Sequence, residues 1–135
     1  MASPRAVAAA IRRDTTKFIE ERVIAIVDAV TSELTLATPK DTGWASVNWS
    51  ASIGGESLAH PNNTEAAQSR EVRASLVFME AAAQQSNLNV VRRDYRLSKG
   101  NVYMTNHVPY TQKLDDTHTP GFVAAAIARG VGQAG

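Results

Sequence analysis

Three groups of residues in this chain are of the right type to do chemistry. Asp41-Thr42-Gly43, within "TPKDTGWASVNW", reproduces the tripeptide around the catalytic carboxylate of enzymes in which two aspartates share one proton. His107, Asp115, Asp116 and His118 lie close together and supply the nitrogen and oxygen donors that a divalent cation takes. Arg92, Arg93, Arg96 and Lys99, with Tyr95 among them, form a basic cluster of the kind that touches phosphates.

Each group meets a physical objection. A carboxylate dyad needs its aspartates at the end of an apolar strand. Thr38-Pro39-Lys40 before Asp41 is polar and broken by proline, and Trp44 follows the glycine where a small residue belongs. There is no second D-T-G, so a dyad would require two copies of the chain. The same residues make a good corner: Asp41 bonds backbone amides one or two residues on, and Gly43 takes positive φ. Pro39, Asp41, Thr42 and Gly43 are therefore read as a structural turn. For the second group no H-x-x-x-H spacing organises the donors, which reads as a solvated turn and loop, and His60 stands alone. No G-x-S-x-G elbow and no phosphate-binding glycine loop occurs. Asp94 interrupts the basic cluster, which reads as a solvated helix face. Arg92, Arg93 and Arg96 remain candidates for contact with DNA backbone without sequence specificity.

Bulk composition sets the frame for these residues. At 135 residues, 44% hydrophobic and 20% charged, the chain suits one globular domain and neither a disordered nor a membrane-spanning protein. Fourteen basic against thirteen acidic side chains give a net charge of +1, which does not call for nucleic acid as an obligate partner. Without cysteine there is no disulfide, thiolate nucleophile or cysteine-ligated metal, which suits a reducing cytoplasm. The first residues lack the apolar run of a signal peptide and read as mature structure.

The elements that must position these residues follow from periodicity. Ser3-Pro4 is a good helix start, and Ile11, Phe18, Ile19, Val23, Ile26, Val27, Val30 and Leu34 recur at helical spacing. A helix from about Pro4 to Leu36 would be ~50 Å long at 1.5 Å per residue, longer than a domain of this size is wide. Thr38-Pro39 ends it. Val47, Trp49, Ala51 and Ile53 then alternate with Ser46, Asn48, Ser50 and Ser52, which predicts a half-buried strand with a polar face. Gly54–Asn63 reads as a long loop. Asn63 or Thr64 caps a second helix with Val72, Leu76, Met79 and Ala83 inward and Glu80 on the surface; "QQSN" weakens it. A shorter helix is expected from about Asn87 to Leu97, with a strand at Val90-Val91 as the rival. Val102–Thr105 is the second strand, Tyr110–Asp115 a helical turn, and Gly121–Arg129 a helix with Phe122, Ala126 and Ile127 inward.

The expected architecture is α+β: a long N-terminal helix plus two or three shorter helices on a small, mostly antiparallel sheet. It occupies residues 1–129 as a single domain, with 130–135 a flexible C-terminal tail. A two-stranded sheet is marginal by itself and leaves its edges open, so helices or another copy of the chain must complete it. Oligomerisation is thus a physical expectation.

"GNVYMTNHVPYTQKLDD" followed by "TPGFVAAAIARGV" resembles the small neck and tail-completion proteins of long-tailed bacteriophages, a group that includes the minor-tail-protein-Z-like family. Its members pair a P-x-D-T-G turn after a long first helix with a later strand, then asparagine, proline-tyrosine, a leucine-acid pair and a P-x-G-F-V helix start. Here these are Pro39, Asp41, Thr42 and Gly43; Val102, Tyr103 and Thr105; Asn106, Pro109, Tyr110, Leu114 and Asp115; then Pro120, Gly121, Phe122 and Val123. The order and spacing cover most of the chain. Family members usually carry a glycine and a longer polar loop after the leucine-acid pair, where this chain has Asp116-Thr117-His118-Thr119.

The resemblance implies structural work and no catalysis, with no cofactor or metal. It implies a homo-oligomeric ring, hexamer or dodecamer, at the head–tail junction of the virion, assembled in the host cytoplasm. Its partners would be head-completion or connector proteins and tail-terminator or tail-tube proteins, with DNA passing nearby and no membrane. Trp44, Trp49, Tyr110 and Phe122 are candidate interface or core anchors, alongside Asn106, Pro109, Leu114, Asp115 and Pro120. The alternatives are a small hydrolase using Asp41 or the His107–His118 segment, and a DNA-contacting accessory protein using Arg92, Arg93 and Arg96.

Overall fold

The computed structural model describes residues 3–39, 44–58, 70–109 and 111–134, with backbone alone for 70–75. The corner residues Asp41, Thr42 and Gly43, the aromatic candidate Tyr110, His60 and the expected caps Asn63 and Thr64 lie outside the described residues. Within them the fold is α+β. Helix α1 (Pro4–Ala37) leads to strand β1 (Ser50–Ile53), helix α2 (Arg70–Asp94) and strand β2 (Val102–Thr105). A short helical turn α3 (Thr111–Lys113), continued at wider pitch through Leu114–His118, then precedes helix α4 (Phe122–Ala134). No helix among the described residues is long and apolar enough to cross a membrane.

Helix α1 runs 34 residues without a break. Ser3 caps it, its Oγ accepting the Ala6 N–H at 3.1 Å with Pro4 at the first helical position. It stops at Thr38, which is extended as the residue before proline must be; the Thr38 hydroxyl donates back to the Leu34 carbonyl. Only the C-terminal half of α1 has a core to pack on. Val23, Ile24, Val27, Val30, Leu34 and Ala37 join the two apolar clusters of the domain. Toward the N-terminus the expected stripe is out in the open: Ile11 is 62% exposed and Phe18 64%, while Ile26 is half-buried. The first four turns, Pro4 to Phe18, thus carry apolar residues past the described body for about 22 Å, before the Glu20 carboxylate accepts the Leu97 N–H at 2.8 Å.

The two strands pair antiparallel, Ser50 with Thr105 through Ile53 with Val102. Ala51, Ile53, Val102 and Met104 face the helices, where Val91 and Tyr95 of the α2 end and Val23, Ile24 and Val27 of α1 close one apolar cluster. Leu34, Trp49, Phe122 and Ala126 form the other, between α1 and α4, and Met104 touches both. The opposite face of the sheet is covered by the chain after β1. The Ser52 hydroxyl donates to the Gly55 carbonyl, and the Ser57 N–H donates to Thr105 Oγ1 at 3.3 Å.

Several expectations are corrected. The alternation at Val47–Ile53 makes a strand only from Ser50; residues 44–47 form a turn, closed by the Asn48 N–H on the Ala45 carbonyl at 3.2 Å. Ser46, expected on the polar face, is buried within that turn. The break expected at "QQSN" is absent, and α2 continues to Asp94. Its polar residues bond sideways without leaving the helix, as with Gln85 Nε2 to Asn89 Oδ1 at 2.9 Å one turn on. Glu80, expected on the surface, is buried. Residues 130–134, expected as a flexible tail, are the last turns of α4. Gly130 is buried there, and a Cβ on it would lie 2.5 Å from Val30 Cα, so only glycine lets α4 approach α1 this closely. Ile127, expected inward, is 43% exposed, because Phe122, Ala126 and Gly130 make the contact at four-residue spacing.

Candidate functional site

Several of the motif residues converge on one place. A cleft of about 480 Å³ opens along the outer edge of β2, and Trp49, Tyr103, Asn106, Pro109 and Asp115 line it. The elements bring them together as follows. Asn106, half-buried at the exit of β2, donates from Nδ2 to the Ala45 carbonyl at 2.8 Å. Its Oδ1 accepts the Val108 N–H and the Thr111 hydroxyl, both at 3.1 Å. One amide therefore ties the turn before β1 to the chain entering α3. Asp115 is the cap of α4: its Oδ1 accepts the Val123 N–H at 3.1 Å, and its carbonyl accepts the Gly121 N–H at 2.9 Å. Gly121 has φ +75°, which suits the glycine after Pro120.

Two of the aromatic candidates, Trp49 and Phe122, point inward. Trp49 is buried against Leu34 and Phe122, and its Nε1 donates to Thr38 Oγ1 at 2.9 Å. The indole thus satisfies its one donor on the hydroxyl that ends α1. Phe122 is buried in the same cluster and Leu114 packs against it. Trp44 is half-buried in the turn before β1, where its carbonyl accepts Asn48 Nδ2 at 2.8 Å. Pro109 and Pro120 are exposed, and Pro39 directly follows the Thr38 cap. The leucine-acid pair and the P-x-G-F-V start are therefore parts of one joint between α3 and α4.

The chemical candidates are dispersed. His107 Nε2 pairs with the Ser57 carbonyl at 2.6 Å, His118 Nδ1 with Thr119 Oγ1 at 3.1 Å, and Asp116 accepts Gln112 Nε2 at 2.9 Å. Together with the capping role of Asp115, each of the four expected donors faces a different neighbour. Among the described residues no group of three or more histidine or acidic side chains could hold a metal ion. The basic cluster does stay together at the end of α2. Arg92 and Arg93 are exposed, and Arg93 bridges Asp94 with two bonds of 2.9 Å. Those bonds hold the Asp94 carboxyl below its ordinary range and raise the Arg93 guanidinium. Arg96 turns back onto the Tyr95 carbonyl.

Three residues organise this region in ways that the sequence does not announce. Thr38 joins α1 to Trp49. Gly130 allows the α1–α4 contact. Asn87, buried on α2, donates from Nδ2 to the Trp49 carbonyl at 2.7 Å and accepts the Ala51 N–H on Oδ1 at 3.0 Å. The signal for Asn87 was present: it lies four residues before Val91, on the inward line of the helix, where a buried amide must find partners.

No family model, no curated protein and no solved structure matches the chain.

Proposed function

We propose that this chain is a structural protein of a long-tailed phage, a tail-completion or neck protein that forms a ring joining tail to head around the DNA channel. The observation that carries the reading is the pair of unfinished surfaces. The N-terminal half of α1 presents Val7, Ile11 and Phe18 to solvent, and the outer edge of β2 is unpaired among the described residues. The backbone groups of Val102 and Met104 point along that edge, because the ladder to β1 uses Tyr103 and Thr105. A neighbouring protomer placing a helix on the first surface and a strand or loop on the second would bury both.

The sequence resemblance supports the same reading, and the motif residues have a shared physical purpose: they build the joint beside the β2 edge. Catalysis finds less support, since Asn106 and Asp115 in the cleft are engaged in holding backbone. The working location is the head–tail junction of the virion. A nonsense mutation in the phage gene for this chain tests the role. Filled heads and finished tails that fail to join are expected; normal infectious particles would refute it.

A further inference from the structure

The other sheet edge, along β1, has a feature of its own. The register pairs Ser50 with Thr105 and Ser52 with Tyr103, and the Gly54 N–H donates to the Asn101 carbonyl. The backbone groups of Trp49, Ala51 and Ile53 therefore point the other way, toward α2. Asn87 satisfies the Trp49 carbonyl and the Ala51 N–H with its side-chain amide. That is the pattern one residue of a parallel strand makes, donating to one residue and accepting from the residue two further on. The next rung would join the Ala51 carbonyl and the Ile53 N–H, and neither has a partner among the described residues. Ala51 and Ile53 line an open cleft of about 660 Å³, which Arg93, Arg96 and Lys99 also line.

We propose that this cleft binds an acidic segment of a partner protein in extended form, one residue of which pairs with Ala51 and Ile53 as the rung after Asn87. A peptide unit is singled out because it supplies both a donor for the Ala51 carbonyl and an acceptor for the Ile53 N–H; a phosphodiester supplies no donor. Acidic character follows from the wall: three cations face the cleft against Asp94, which Arg93 already bridges. Among the described non-helical stretches of the chain Glu56 is the one carboxylate, so these stretches supply no acidic extended segment and the occupant is assigned to a partner protein. The inference is independent of the ring assignment, which uses α1 and the β2 edge.

A random-peptide display library panned on the whole chain, with Lys99→Glu as the comparison, tests it. Lys99 is exposed, so the variant should fold. Enriched sequences should contain Asp or Glu, and a synthetic peptide from the enriched set should bind the variant about tenfold or more weakly. The same peptide should slow hydrogen exchange of the Ile53 amide about tenfold, read by nitrogen-edited NMR. The proposal is overturned by no enrichment, by enrichment without acids, or by a saturating peptide that leaves Ile53 exchange unchanged. Binding of oligo-dT that Lys99→Glu weakens, with no acidic peptide enriched, would assign the cleft to nucleic acid and also overturn it.

Discussion

Asn87 serves Ala51 as a strand would: its side-chain amide takes the Ala51 N–H at 3.0 Å and returns a proton to the Trp49 carbonyl at 2.7 Å. A helix thereby seals half of the β1 edge while its own backbone stays regular. Asn87→Ala leaves a buried N–H and a buried C=O without partners, a cost of about 2–4 kcal/mol. Asn87→Asp keeps the acceptor but loses the donor and buries a charge, so it should be no better. Urea unfolding measures both; a loss below about 0.5 kcal/mol for Asn87→Ala would mean the edge tolerates being open.

Gly130 and Gly132 occupy the same helix and should respond oppositely to alanine. At Gly130 the added methyl meets Val30 backbone at 2.5 Å, an overpacking cost of about 1–3 kcal/mol that outweighs the gain in helix propensity. At Gly132 nothing lies within 4 Å, so only the propensity gain of up to about 1 kcal/mol remains, less so near the helix end. Thermal melts of Gly130→Ala and Gly132→Ala should move down and up respectively. Two shifts of the same sign would contradict the close approach of α1 and α4.

Glu33 links the same two helices. Its carboxylate accepts Arg129 Nε at 3.0 Å and Gln133 Nε2 at 2.7 Å, and these hydrogen bonds hold its pKa below the ordinary glutamate value. A depressed folded-state pKa means the folded form favours the charged carboxylate. The stabilisation is therefore complete above the ordinary glutamate range and disappears as pH falls through the folded value. Glu33→Gln should flatten that part of the stability–pH curve and change little else. An unaltered curve would show that the bonds are not kept in solution.

The long helix was readable because its cap, its apolar spacing and its proline stop all act locally. Val102–Thr105 was readable from β-branched and aromatic types bounded by turn residues. Three features were not. The helix through "QQSN" depends on Asn87 finding partners in a strand 36 positions earlier, which no local window contains. The helix through Gly130 depends on Val30, since glycine weighs against a helix until a close neighbour requires it. Periodicity alone could not separate the part of the α1 stripe that is core from the part that is bare, because both show the same spacing. The motif residues themselves were visible, but their purpose as caps and ties needed the fold.

In the proposed ring, Phe18 and Ile11 separate assembly from folding. Both are more than 60% exposed and neither belongs to either apolar cluster. Ile11→Ser with Phe18→Ser should leave helix content by circular dichroism intact and change the intrinsic stability of the protomer by less than about 0.5 kcal/mol per site. The same pair should abolish assembly. A stable double variant that still assembles would remove α1 from the interface.

The mass of the chain in solution bears most directly on the central claim. Multi-angle light scattering should be run on it alone and mixed with the head-completion and tail-tube proteins that the proposed role requires as partners. The account predicts a particle several times the 14.5 kDa protomer in at least one of these conditions, ring-shaped in negative stain. A mass of 14.5 kDa in every mixture, with no rings, would contradict it.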